Sequence, residues 1–113
     1  MATTFAARPR DGLAVSVHQD GNGLVVRASG ELDMATTDAL ENDLLRAFES
    51  HAGSIVLDLG GITFIDSTGL RLLLWAANRS HESRDRLRID CGGSGVRRML
   101  ELTNLDRSLP LGA

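Results

Sequence analysis

A chain of 113 residues builds one hydrophobic core and no second independent one. Its formal net charge of −3 supplies no concentrated basic surface, which argues against direct nucleic-acid contact. All twelve basic residues are arginines, so a P-loop lysine, a Schiff-base lysine and a lysine general base are excluded.

Residues 1–11 read as a flexible N-terminus without the apolar core of a secretion signal, and residues 12–113 as a single domain. "LAVSVHQ" alternates apolar and polar side chains with period two, "DGNG" supplies turn chemistry, and "LVVRASGEL" follows, which together predict a β-hairpin. From Asp38, Leu40, Leu44, Leu45 and Phe48 recur at helical spacing behind an acidic first turn, where the helix dipole favours negative charge. "SIVLDL", residues 54–59, is a short apolar run bounded by "HAG" and "GG" and predicts a strand covered on both faces.

Leu70, Leu73, Leu74 and Ala77 then define the buried stripe of a second helix ending near Ser80, with Leu72 and Trp75 on the far side. Trp75 there has two readings, packing against a neighbouring helix or anchoring a partner. "HESRDR" loops out, "LRIDC" predicts a strand, and "VRRMLELT" predicts a third helix burying Val96, Met99 and Leu100. "GGSG", residues 92–95, is a tight turn rather than a phosphate cradle, because it lacks the third glycine of that motif. "SLPLGA" adds at most a short edge strand, since Pro110 interrupts a ladder. The order β, β, α, β, α, β, α predicts an α/β fold with a mixed sheet of four to five strands and crossover helices packed on it.

Cys91 is the single cysteine, expected as a small buried apolar residue, so neither an intrachain disulfide nor the common zinc spacings can be written. His18, His51 and His81 lie about thirty residues apart and read as surface residues; no metal or other cofactor is expected. The longest apolar run, "LLLWAA", is far short of a membrane span, so the expectation is a soluble, cytoplasmic protein with no membrane insertion.

The chemistry concentrates in "FIDSTGLRLLLW", residues 64–75, where Asp66, Ser67 and Thr68 stand between a strand and a helix. Capping of the helix start explains one such residue well and three less well. A nucleophile elbow is a second reading, weakened by Ile65 in the place of its first glycine and by the lack of a histidine after Ser67 other than His81. The third makes Ser67 a phosphorylation target, whose dianion would change this surface sharply.

"IVLDLGGITFIDSTGLRLLL", "GELD" at 30–33 and "GVRRMLELTNLDR" at 95–107 together resemble the STAS domain, in particular the stand-alone anti-sigma factor antagonists, over about residues 12–109. The resemblance implies a protein that performs no chemistry itself. It would bind an anti-sigma factor serine kinase so that a sigma factor is released, be phosphorylated on Ser67, and be restored by a phosphoserine phosphatase. It further implies partner contacts at Asp33, Asp66, Ser67, Thr68, Gly69, Leu70 and Arg71, with Thr68 a cap or contact residue. Arg71 stands where the antagonists commonly carry glycine; a long cation there would narrow partner choice or help hold a phosphate. The segment after the third helix is short beside the family's further strand and helix, and a homodimer or a different partner would cover the surface left. The same resemblance leaves two other roles open, an adaptor subunit on a membrane transporter ATPase and a scaffold of a sensory complex.

Overall fold

The computed structural model describes residues 4–5, 12–50, 53–82 and 84–112. Most of the N-terminal segment expected to be flexible, and His51, lie outside these residues. The elements are β1 (Thr4–Phe5), β2 (Leu13–Asp20), β3 (Gly23–Leu32), α1 (Thr37–Ser50), β4 (Ile55–Ile65), α2 (Ser67–His81), β5 (Leu87–Asp90) and α3 (Val96–Leu102). A short 3₁₀ turn follows at Asp106–Ser108.

The five strands lie in the sheet in chain order, β1-β2-β3-β4-β5. β2 and β3 form the predicted hairpin, with Asp20 opposite Gly23 across a two-residue turn. β3, β4 and β5 are parallel neighbours. Two right-handed crossovers stepping in one direction put their helices on one side of a sheet, and α1 and α2 accordingly pack against each other. Leu13, Val15, Val26, Ala28, Ile55, Leu57, Leu87 and Ile89 point into the single core under these helices. The opposite face carries half-buried or exposed side chains, among them Arg27 and Asp58, whose Nε and Oδ2 pair at 3.0 Å. "SIVLDL" is therefore covered on one face, and the expectation of two covered faces is corrected.

β4 also continues six residues beyond Leu59, past the two glycines expected to end it. Its pairing with β3 slips twice: Arg27 and Ser29 face Asp58 and Gly61, while Gly30 and Glu31 face Ile62 and Phe64. Each slip inserts one extra residue into β4. The inward positions thus run 55, 57, 59, then 62, then 65, and the broken alternation that looked like a strand end is a doubly bulged strand.

Three helix faces differ from the expected ones. On α2 the buried residues are Gly69, Leu72, Leu73, Ala76 and Ser80, a stripe turned by about 90° from the predicted one at 100° per residue. Leu72 is 4% exposed, and Trp75 is half-buried against the core, the packing reading of that residue. α2 is apolar nearly all round, and its small residues mark the line of closest approach. On α1 Ala47 joins Leu40, Leu44 and Phe48, while Leu45 is half-buried at the margin. On α3 Met99 is 37% exposed, because this two-turn helix touches the core only along Val96 and Leu100.

The closing segment runs along the edge of β5: Leu111 bridges Ile89 in parallel, and Ile89 N–H donates to the Pro110 carbonyl at 2.9 Å. This is a single bridge rather than a strand. "GGSG" is a tight turn, with Asp90 Oδ1 accepting from Gly92 N–H and Ser94 Oγ donating to the Cys91 carbonyl.

Candidate functional site

β3 and β4 end together, with Leu32 paired to Ile65. The next residue of β4, Asp66, donates its N–H to the Leu32 carbonyl at 3.2 Å, so the junction into α2 is tied to the end of β3. Asp66 has extended backbone angles and its Oδ1 accepts from Gly69 N–H at 3.0 Å, while its carbonyl accepts from Leu70 N–H. Asp66 is thus the helix cap, in the geometry that satisfies first-turn donors.

One cap suffices, and it leaves the two hydroxyls without that task. Ser67 is the first residue of α2 and is exposed, and Thr68 is half-buried; among the described residues neither side chain has a hydrogen-bond partner. Gly69 is buried beneath them, and Leu70 is half-buried against the core. A Cβ on Gly69 would stand 2.8 Å from the Leu32 carbonyl oxygen and 2.7 Å from Ile65 Cγ1, so only glycine lets the first turn of α2 lie this close to β3. Arg71 is exposed one turn further on.

The "GELD" segment meets this turn from the other strand. Gly30 holds φ +107° and a Cβ there would fall 1.9 Å from the Gly12 carbonyl, which explains the glycine at the head of the motif. Asp33 is half-buried in the turn between β3 and α1, and its Oδ1 accepts from Ala35 N–H at 2.9 Å. Thr36, fully buried, holds that turn: its Oγ1 accepts from Asp33 N–H and donates to the Glu31 carbonyl, both at 2.9 Å. The Leu32–Asp66 hydrogen bond brings Asp33 to the same end of the sheet as Asp66 and Ser67.

Sequence reasoning did not single out Thr36, nor Met34 and Phe64, which are 79% and 52% exposed beside the two halves of the site. The signal for Thr36 was present as a short hydroxyl side chain just before a helix. Nothing in the pattern marks Met34 and Phe64 as exposed, because exposure depends on where the chain turns.

His81 closes α2 at its far end, about 20 Å along the axis from Ser67, where its Nδ1 meets Asp85 Oδ1 at 3.1 Å. It cannot serve Ser67 as the base that a nucleophile elbow would need. A shallow polar cleft lined in part by Asn78, His81, Arg107 and Pro110 lies at that same far end, away from the turn. Among the described residues no group of three or more His, Cys, Asp or Glu side chains could hold a metal ion. Among them too, no helix is long and apolar enough to cross a membrane. Cys91 is buried; desolvation raises its thiol above the ordinary range, Arg97 opposes this, and Asp90 adds to it.

The fold is a one-sided α/β sheet that presents a capped, hydroxyl-bearing turn between β4 and α2. The chain belongs to the STAS domain family: the family model described as "Mlab, STAS domain" matches residues 15–111. Among its relatives is the anti-sigma-F factor antagonist RsfB of Mycobacterium tuberculosis, 28% identical over 101 residues, which span 89% of this chain and 82% of that protein. The crystal structure of an anti-sigma factor antagonist from Mycobacterium paratuberculosis superposes with a TM-score of 0.76 at 29% identity, covering 91% of this chain and 87% of that one. The anti-sigma factor antagonist SpoIIAA in its unphosphorylated form shares the fold, with a TM-score of 0.70 at 20% identity over 88% of this chain and 89% of its own.

Proposed function

We propose that this protein is an anti-sigma factor antagonist of the cytoplasm, whose partner is an anti-sigma factor serine kinase and whose switch is Ser67. The relatives that carry this name support the reading. The observation that carries the switch is the division of labour at the turn: Asp66 alone caps α2, while Ser67 stays exposed with no intramolecular partner among the described residues.

In the unmodified state the partner would dock over the end of β3 and the start of α2, against Asp33, Thr68 and the exposed apolar side chains of Met34 and Phe64. Phosphorylation adds about −1.5 to −2 charges at Ser67. A strongly hydrated dianion inside an interface costs several kcal/mol through desolvation and like-charge contact with Asp66, roughly enough to release the partner. The anti-sigma factor then returns to its sigma factor, and a phosphoserine phosphatase resets the antagonist.

The test is intact-mass spectrometry after incubation with ATP and candidate anti-sigma kinases. A single phosphate on the wild type, absent from Ser67→Ala, is the expected result. Binding to a partner that persists without any phosphate transfer would instead assign the domain to a constitutive role, such as an adaptor on a transporter ATPase.

A further inference from the structure

We infer that Arg71 is the built-in counter-ion of phosphorylated Ser67, pairing with the phosphoryl group along the outward ridge of α2. The inference rests on the reading of Ser67 as phosphoacceptor and concerns what the modified turn does next.

Ser67 and Arg71 are separated by four residues on one continuous helix and are both exposed. Relative to Gly69 on the buried stripe, they stand at about 160° and 200°, so they share the solvent ridge opposite the core. Side chains at i and i+4 have Cβ atoms about 5–6 Å apart, and helix side chains lean toward the N-terminus, so the guanidinium of Arg71 is within reach of the turn that begins with Ser67. Arg71 is unengaged: among the described residues it has neither an ion pair nor a side-chain hydrogen bond. Its intrahelical neighbours at i−4, i−3, i+3 and i+4 are Ser67, Thr68, Leu74 and Trp75, and α2 contains no Asp or Glu anywhere along its length.

The nearby carboxylates of the site are already turned to other work. Asp66 accepts from Gly69 N–H and Asp33 from Ala35 N–H, both within their own turns. A phosphate on Ser67 would therefore be the first anion on α2 within one turn of Arg71. Its oxygens match the planar donor fork of a guanidinium, which an ammonium does not reproduce. The modified turn carries its own counter-ion, which offsets repulsion from Asp66 and holds the phosphoryl group along the helix.

The experiment places phosphoserine at position 67 of the full chain by co-translational incorporation, so that no kinase is needed, and follows its ³¹P resonance against pH. With Arg71 present, the second phosphate ionisation is expected about 0.2–0.4 pH unit lower than in Arg71→Gln, the size of an exposed i,i+4 ion pair. Arg71→Lys should recover part of the difference, and about 1 M salt should abolish it by screening. Coincident titration curves for wild type and Arg71→Gln, with the helical circular dichroism of both intact, would overturn the inference. Kinase labelling of Ser67 tests the underlying reading separately: its failure leaves the titration unchanged, and failure of the titration leaves the labelling unchanged.

Discussion

The carbonyl oxygen of Leu32 lies 2.8 Å from the position a Cβ on Gly69 would take, and the same oxygen accepts the Asp66 N–H at 3.2 Å. One backbone atom of β3 thus fixes both the start and the depth of α2. The hydroxyls at 67 and 68 are held at the surface because the glycine after them sinks against the strand.

Gly69→Ala should therefore push the first turn of α2 off β3, at a cost of about 1–3 kcal/mol typical of overpacking. The obstacles are a backbone oxygen and the Cγ atoms of Ile65 and Leu32, which leave little room for relaxation. Thermal denaturation should show the loss, and ATP-dependent labelling of Ser67 should fall with it. An unchanged melting temperature would mean that α2 moves away at no cost.

Trp75 and Leu72 give a second prediction, which separates packing from partner contact. Leu72 is in the core and Trp75 lies half-buried against it, so both substitutions to alanine should destabilise the free protein. Leu72→Ala should lose about 2–5 kcal/mol and Trp75→Ala about 2 kcal/mol, less than a fully buried Trp. Urea denaturation checks the order. Unaltered stability of Trp75→Ala would restore it as a candidate partner anchor.

Arg86 ties two elements that no strand pairing connects. Its guanidinium donates to the Phe48 carbonyl at 2.9 Å and the Gly53 carbonyl at 3.0 Å, and lies 5.6 Å from the centroid of the Phe48 ring. Arg86→Ala should cost about 2 kcal/mol, within the range for hydrogen bonds to charged groups. Arg86→Lys should recover less than half, because a single ammonium cannot reach both carbonyls and the ring face. Equal stability of the two variants, measured by denaturant melts, would refute the fork.

Cys91 predicts an alkaline effect. Burial raises the folded thiol above its unfolded value, so folding favours the protonated form. Its contribution is whole below the unfolded value and is lost as pH rises through the raised folded one. Native protein should also react slowly with thiol reagents at neutral pH, since the thiolate is the nucleophile. Cys91→Ala should remove the alkaline loss of stability, and an unchanged pH profile in that variant would place its origin elsewhere.

Period-two alternation marked β2, the turn chemistry of "DGNG" marked the hairpin into β3, and the family resemblance implied that Asp33 and Ser67 lie near each other, at the end of the sheet where Asp66 N–H meets the Leu32 carbonyl. The pattern failed at β4, where two extra residues each shift the inward position by one and disguise a single strand as a strand and a loop. It failed again on α2, where apolar residues on nearly every side left the buried direction unspecified.

What the sequence by itself determined is local: the turns, the alternation, the cap chemistry and the hydroxyl pair at 67 and 68, all written within a few residues of where they act. What only the tertiary structure decided is which face of each element meets another. The stripe of α2, the exposure of Met34, Phe64 and Met99, and the single covered face of the sheet follow from close approach between β3, β4 and the helices. The approach of α2 to β3 is set by missing side-chain volume at Gly69, as that of β3 to the start of β2 is by Gly30, and both become visible only once the partner backbone is in place.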